Sequence, residues 1–188
     1  RSTGSIPGSG WRSTRRWEQA AGAGRLRIKS VRLTPVQVVG GATLEVRVDV
    51  SNDGSGPLTL MGPDNATYNE DGSSPHARPS EAGKWRVGVE FEGRAAAMLD
   101  HPYRFGKDRV LNPGESTTVG GFIRLTSLRA ADFWVGAVQE LVRWDADNVG
   151  RTHIAVTPSS CATGQFLAQY FNGRTLSGAP VFSRCEAS

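Results

Sequence analysis

Cysteine is scarce in this chain: Cys161 and Cys185 are the only two in 188 residues. Histidine is scarce as well, and His76, His101 and His153 stand far apart, at spacings that gather no zinc ligands. No G-x-S-x-G elbow and no Cys-His pair is present, so the common signatures of a nucleophilic enzyme are missing. No apolar run approaches the roughly 20 residues that cross a bilayer, which excludes a membrane-spanning helix. The chain opens at Arg1 without a charged and then apolar leader, and reads as a processed form or a fragment. From these absences we expect no enzyme, no metal and no other cofactor.

The charge balance is mild. Twenty-two Lys and Arg against 18 Asp and Glu leave a net +4. Apart from "RSTRR" near the start, the excess is dispersed. With no nucleic-acid motif and no aromatic stacking platform, a solvated basic surface is the reading, and no nucleic acid is expected as a partner.

What the chain does have is glycine, proline and short runs of Val and Thr. It holds 23 Gly and 10 Pro, a composition of turns between strands. "ATLEVRVDVS" alternates: Leu44, Val46, Val48 and Val50 face one way and Glu45, Arg47 and Asp49 the other. "KWRVGVEFEG" repeats the pattern, with Trp85, Val87, Val89 and Phe91 inward and Lys84, Arg86 and Glu90 on a solvated face. In "GRLRIKSVRLTP" the inward set shifts from Leu26 and Ile28 to Val31 and Leu33, which predicts a bulge or a change of sheet. Residues 62–83 carry almost no strand pattern and read as a long surface loop. Six or so antiparallel strands over 25–157 predict an all-β, immunoglobulin-like sandwich. No cysteine pair crosses that span, so an antibody-type domain is excluded.

Two segments flank the sandwich. Residues 1–24 read as an extended arm, polar except for Ile6, Trp11 and Trp17, which are candidate anchors on the same domain or on a neighbour. Residues 158–188 form a third unit. Its two cysteines sit at the ends of one local segment, a placement that favours a Cys161–Cys185 bridge over free thiols and an oxidising, extracellular compartment.

Smaller signals are weaker. Asn65-Ala66-Thr67 is a candidate glycosylation sequon. Asp145, Asp147 and Asn148 share the stretch "WDADNVG", which lacks the Glu and the spacing of a calcium loop and reads as a plain turn. Asp100 is placed to orient His101, and His153 reads as surface-facing. Trp134 and Trp144 could stack on sugar rings, but core packing is the default for an aromatic.

"VGGATLEVRVDVSNDGSGPL", "GKWRVGVEFEG", "DHPYRFG…LNPGES" and "FWVGAVQELVRWDADNVGRTHIAV" together resemble an immunoglobulin-like module of multi-domain bacterial surface and secreted proteins. "GQFLAQYFNGRTLSGAPVFSRCE", with Tyr170-Phe171 followed by Asn172 and Gly173, resembles the first two strands of a protective-antigen-type β-barrel module. That resemblance implies carbohydrate as a partner, bound by residues downstream of Ser188. Two functions follow as expectations. The first is an extracellular structural protein that assembles with copies of itself, as a filament or surface layer, by arm or strand exchange. The second is an adhesion or carbohydrate-recognition accessory module within a larger protein.

Overall fold

The computed structural model of the chain describes residues 24–126, 130–157, 161–171 and 182–187. Among them there is no helix, and the fold is all-β. The anchors expected at Ile6, Trp11 and Trp17 lie outside the described residues.

Two sheets enclose one core. The first strand, β1 (Leu26–Thr34), pairs antiparallel with β3 (Thr43–Asn52), and β3 pairs with β9 (Ser116–Arg124). β5 (Ala66–Asn69) completes this four-stranded sheet, running parallel to β9. In the second sheet β2 (Gln37–Val39), β11 (Arg143–Thr157), β10 (Ala130–Gln139), β6 (Trp85–Phe91), β4 (Leu58–Leu60) and β8 (Arg109–Leu111) follow one another. β7 (Tyr103–Phe105) pairs with β6 off that path. The strands are not all antiparallel as expected: β2 with β11, β4 with β6 and β5 with β9 are parallel.

The expected alternation fills the core. Leu44, Val46, Val48 and Val50 of β3 are fully buried and share one core with Trp85, Val87, Val89 and Phe91 of β6. Each such side chain removed from water contributes about 1.5–3 kcal/mol. Phe91 stacks on Phe133 and Tyr103, and Tyr68 meets Phe105 edge-on at 5.2 Å. The predicted irregularity in β1 is present as a register shift between Ile28 and Ser30. The turn after β3 carries the chain from the first sheet to the second, held by the buried Asn52, whose Nδ2 donates to the carbonyls of Gly56 and Leu111.

Three sequence readings need correction. Residues 62–83 are not strandless, because β5 lies within them and Tyr68 is in the core. Trp144 to Gly150 is not a loop but part of the 15-residue β11. Arg86 and Glu90 do point away from the core, as their alternation requires, yet both are buried. Segments 74–83 and 93–102 cover that face, so β6 is enclosed on both sides.

The sheet edges are short or charged. β2 and β8 have three residues each and β5 has four. The longer edge strand β1 presents Arg27, Lys29 and Arg32 beside its bulge. These are the usual means of discouraging edge-to-edge pairing.

Residues 165–170 and 182–187 form a separate two-stranded sheet. β12 (Gln165–Tyr170) pairs antiparallel with β13 (Phe182–Ala187), from Gln165 opposite Ala187 to Tyr170 opposite Phe182.

Candidate functional site

The concentration of buried polar chemistry lies on the outer face of the second sheet. It is built from a gap. Gly88 of β6 and Gly136 of β10 are directly paired, and two adjacent residues without side chains leave a trough. His101 and Trp144 lie in it. A Cβ on Gly88 would come within 2.8 Å of His101 Cβ, and one on Gly136 within 3.0 Å of both His101 Nε2 and Trp144 Cζ3. Gly88→Ala is therefore expected to cost about 2 kcal/mol by overpacking, with a change in tryptophan fluorescence as Trp144 shifts. Urea denaturation followed by fluorescence checks both.

The bulges of β11 deliver the other groups. Against β10, β11 spends three residues for two between Thr152 and Val149, and again between Val149 and Ala146. Left-handed backbone at Asn148 (φ 55) and Gly150 (φ 66) accommodates the extra residues. The result aims Asp147 back over the sheet, where its Oδ1 lies 2.8 Å from His101 Nε2. Asp147, not Asp100, is thus the carboxylate partner of the His101 ring. Trp144 stacks against the imidazole with ring centroids 4.1 Å apart, and the Arg104 guanidinium sits 4.7 Å from the indole.

Glu90 ties the covering segment down. Both of its oxygens accept from Arg94 Nε at 2.9 Å, and Oε2 also accepts the backbone N–H of His101 at 2.9 Å. Arg94 also pairs with Asp100. On the other side, the buried Arg86 donates to the carbonyls of Arg78 and Pro79, and Glu140 accepts from Ser80. Arg86 and Arg104 both approach Glu140, at 3.7 and 3.5 Å. Burial lowers the pKa of both guanidinium groups from the usual arginine value, and Glu140 opposes that shift. Burial likewise pushes the Tyr103 hydroxyl far above its ordinary range. His101 is held below the ordinary imidazole value by burial, against the pull of Asp147. These interactions form a largely paired polar layer between a sheet and its covering loops, in which Arg86 Nε and His101 Nδ1 are buried without a hydrogen-bond partner.

The remaining sequence candidates fall elsewhere. Cys161 and Cys185 form a disulfide, with Cα atoms 5.5 Å apart, joining the segment before β12 to β13. Asn65 is exposed, with left-handed backbone (φ 54), at the rim of a cleft of about 580 Å³ that His76, Arg78 and Lys107 also line. His153 is on the surface, its Nδ1 2.8 Å from Asp132. Neither Trp134 nor Trp144 is in the core: Trp134 is half-buried beside Arg151 at 4.5 Å, and Trp144 is 37 % exposed. Asp145 and Asp147 do not form a calcium loop. Asp145 pairs with Arg25 at 3.0 Å, and among the described residues no three His, Cys, Asp or Glu converge on a metal position. No described helix is long and apolar enough to cross a membrane.

On the hairpin, Phe166 and Tyr170 are 49 % and 41 % exposed. The Tyr170 hydroxyl donates to Glu186, which also accepts from Arg184 at 2.7 Å. The Arg184 guanidinium lies 5.6 Å from the Tyr170 ring. Compared with known proteins, the chain matches no family model and no curated protein.

Proposed function

We propose that this chain is the non-catalytic scaffold of an extracellular adhesion protein directed at carbohydrate. In this reading the sandwich is an immunoglobulin-like support. The disulfide-closed hairpin is the opening strand pair of a protective-antigen-type barrel. The observation that carries the reading is the hairpin itself: a two-stranded sheet of its own, closed by Cys161–Cys185, with Phe166 and Tyr170 half in solvent. An isolated hairpin is marginal in water, and one with exposed aromatics is suited to receive further strands. The disulfide suits an oxidising compartment. The polar layer over β6 supports the same division of labour, because its charged groups are spent on each other and on loop carbonyls. A glycan array probed with the full-length secreted protein tests the proposal. Binding to at least one class of oligosaccharide is expected, and no binding to any overturns it.

Among the described residues β12 and β13 pair only with each other, which also favours a second reading, self-association by strand addition. The short and charged edges of the sandwich leave the hairpin as the better place for it. Scattering at low and high protein concentration separates the two: growth in mass with concentration supports assembly, and a constant monomer mass removes it.

A further inference from the structure

We infer that His101 is an acid-released latch that holds the 93–102 segment over the outer face of the second sheet. The latch is a side chain that fits its site only when neutral. His101 is 5 % exposed, with its backbone in the left-handed region at φ 49. Its ring rests on the glycine trough and covers Trp144. Because Asp147 is a carboxylate, the nitrogen that faces it carries the hydrogen, so Nε2–H donates and Nδ1 is the lone-pair nitrogen. Nδ1 is buried and has no hydrogen-bond partner. The nearest carboxylate oxygen, Glu90 Oε2, is 3.9 Å away and is already accepting from Arg94 and from the His101 backbone.

A proton arriving from solvent would bind at Nδ1. It would place an imidazolium in the trough with a new N–H that has no acceptor within hydrogen-bonding distance. A buried, unpaired donor on a charged ring is costly. The charges around it do not compensate. β6 contributes Glu90, whose charge Arg94 offsets only in part because Asp100 shares the same guanidinium. The covering segment contributes Arg94 and Asp100, paired with each other. β7 contributes Arg104, which repels the imidazolium. β10 contributes Gly136, which is uncharged. β11 contributes Asp147, whose side chain is 57 % exposed and screened by water. Asp147, and more weakly Glu90, favour the imidazolium, and burial outweighs them.

The sign follows directly. The folded site holds its imidazole below the ordinary value, while an opened segment returns the ring to that value. Closure is therefore fully favoured above about pH 6.5 and weakens as the pH falls towards the folded-state value. Over that window the open population rises by up to about tenfold per pH unit, the limit for one proton. Opening removes the imidazole from one side of Trp144 and frees the backbone N–H of His101 from Glu90.

Hydrogen exchange on the intact chain tests the latch, comparing opening equilibria of amides in 94–101 between pH 8 and pH 5 after correction for intrinsic exchange. Protection in that segment is expected to fall as the pH drops, while amides of β3 and β9 hold theirs. His101→Asn keeps a residue that tolerates left-handed backbone and removes the titration, so its protection should lose the pH dependence. His153→Asn is the control and should keep it. Unchanged protection in the native chain between pH 8 and pH 5 overturns the inference. So does a pH dependence that survives in His101→Asn. The native-chain result stands by itself should His101→Asn fold poorly.

Discussion

Glu90→Ala is expected to lower the stability of the sandwich by about 3 kcal/mol, the scale for breaking a buried charge pair by removing one partner. Glu90 is 6 % exposed, yet it accepts from Arg94, from the backbone of His101 and from the backbone of Phe91 at 3.0 Å. Removing its carboxylate leaves the Arg94 guanidinium, itself only 19 % exposed, with Asp100 as its remaining carboxylate partner. It also leaves a buried N–H at His101 without an acceptor. At about 2–4 °C per kcal/mol for a domain of this size, the melting temperature should drop by roughly 6–12 °C. Glu90→Gln keeps one acceptor oxygen and should lose less. Thermal unfolding by circular dichroism measures both. A loss below about 1 kcal/mol for Glu90→Ala would mean that the covering segment is held by something other than this carboxylate.

The second large effect belongs to the disulfide. Cys161 and Cys185 are 24 residues apart in sequence, and closing a loop of that size removes unfolded-state entropy worth about 3.5 kcal/mol. Among the described residues, the hairpin's other contacts include six paired positions and the Tyr170–Glu186–Arg184 contacts, while its aromatic faces remain half in water. Replacing both cysteines by Ser should therefore abolish hydrogen-exchange protection across 165–170 and 182–187. The sandwich has its own core and should melt within about 1 °C of the native protein. If the sandwich melted several degrees lower, the two units would not be separable.

How far these features could be read from sequence depends on how local each one is. The alternation in β3 and β6 placed Leu44 to Val50 and Trp85 to Phe91 in the core correctly, because a period of two is written in neighbouring residues. The bulge in β1 was legible for the same reason. Alternation names a face but not what covers it, so Arg86 and Glu90 read as solvated although loops bury them. The first half of β11 escaped because "WDADNVG" has turn composition and its bulges break the period of two, whereas "RTHIAVTP" at its end reads as a strand. The His101–Asp147 contact spans 46 residues and depends on those bulges, so nothing local announces it. The Gly88–Gly136 trough becomes visible only once β6 and β10 are in register. The parallel pairings of β2, β4 and β5 involve strands of three or four residues, too short to show a pattern.

In the proposed function the sandwich supports and the hairpin opens the carbohydrate-binding module. This division is tested most directly by measuring carbohydrate binding of the full-length protein with and without the Cys161–Cys185 bridge, using the oligosaccharide class found on a glycan array. The account predicts that the double Ser variant loses at least tenfold in affinity while its sandwich melts as in the native protein. Full affinity in the variant, or no oligosaccharide bound by the native protein, would contradict it.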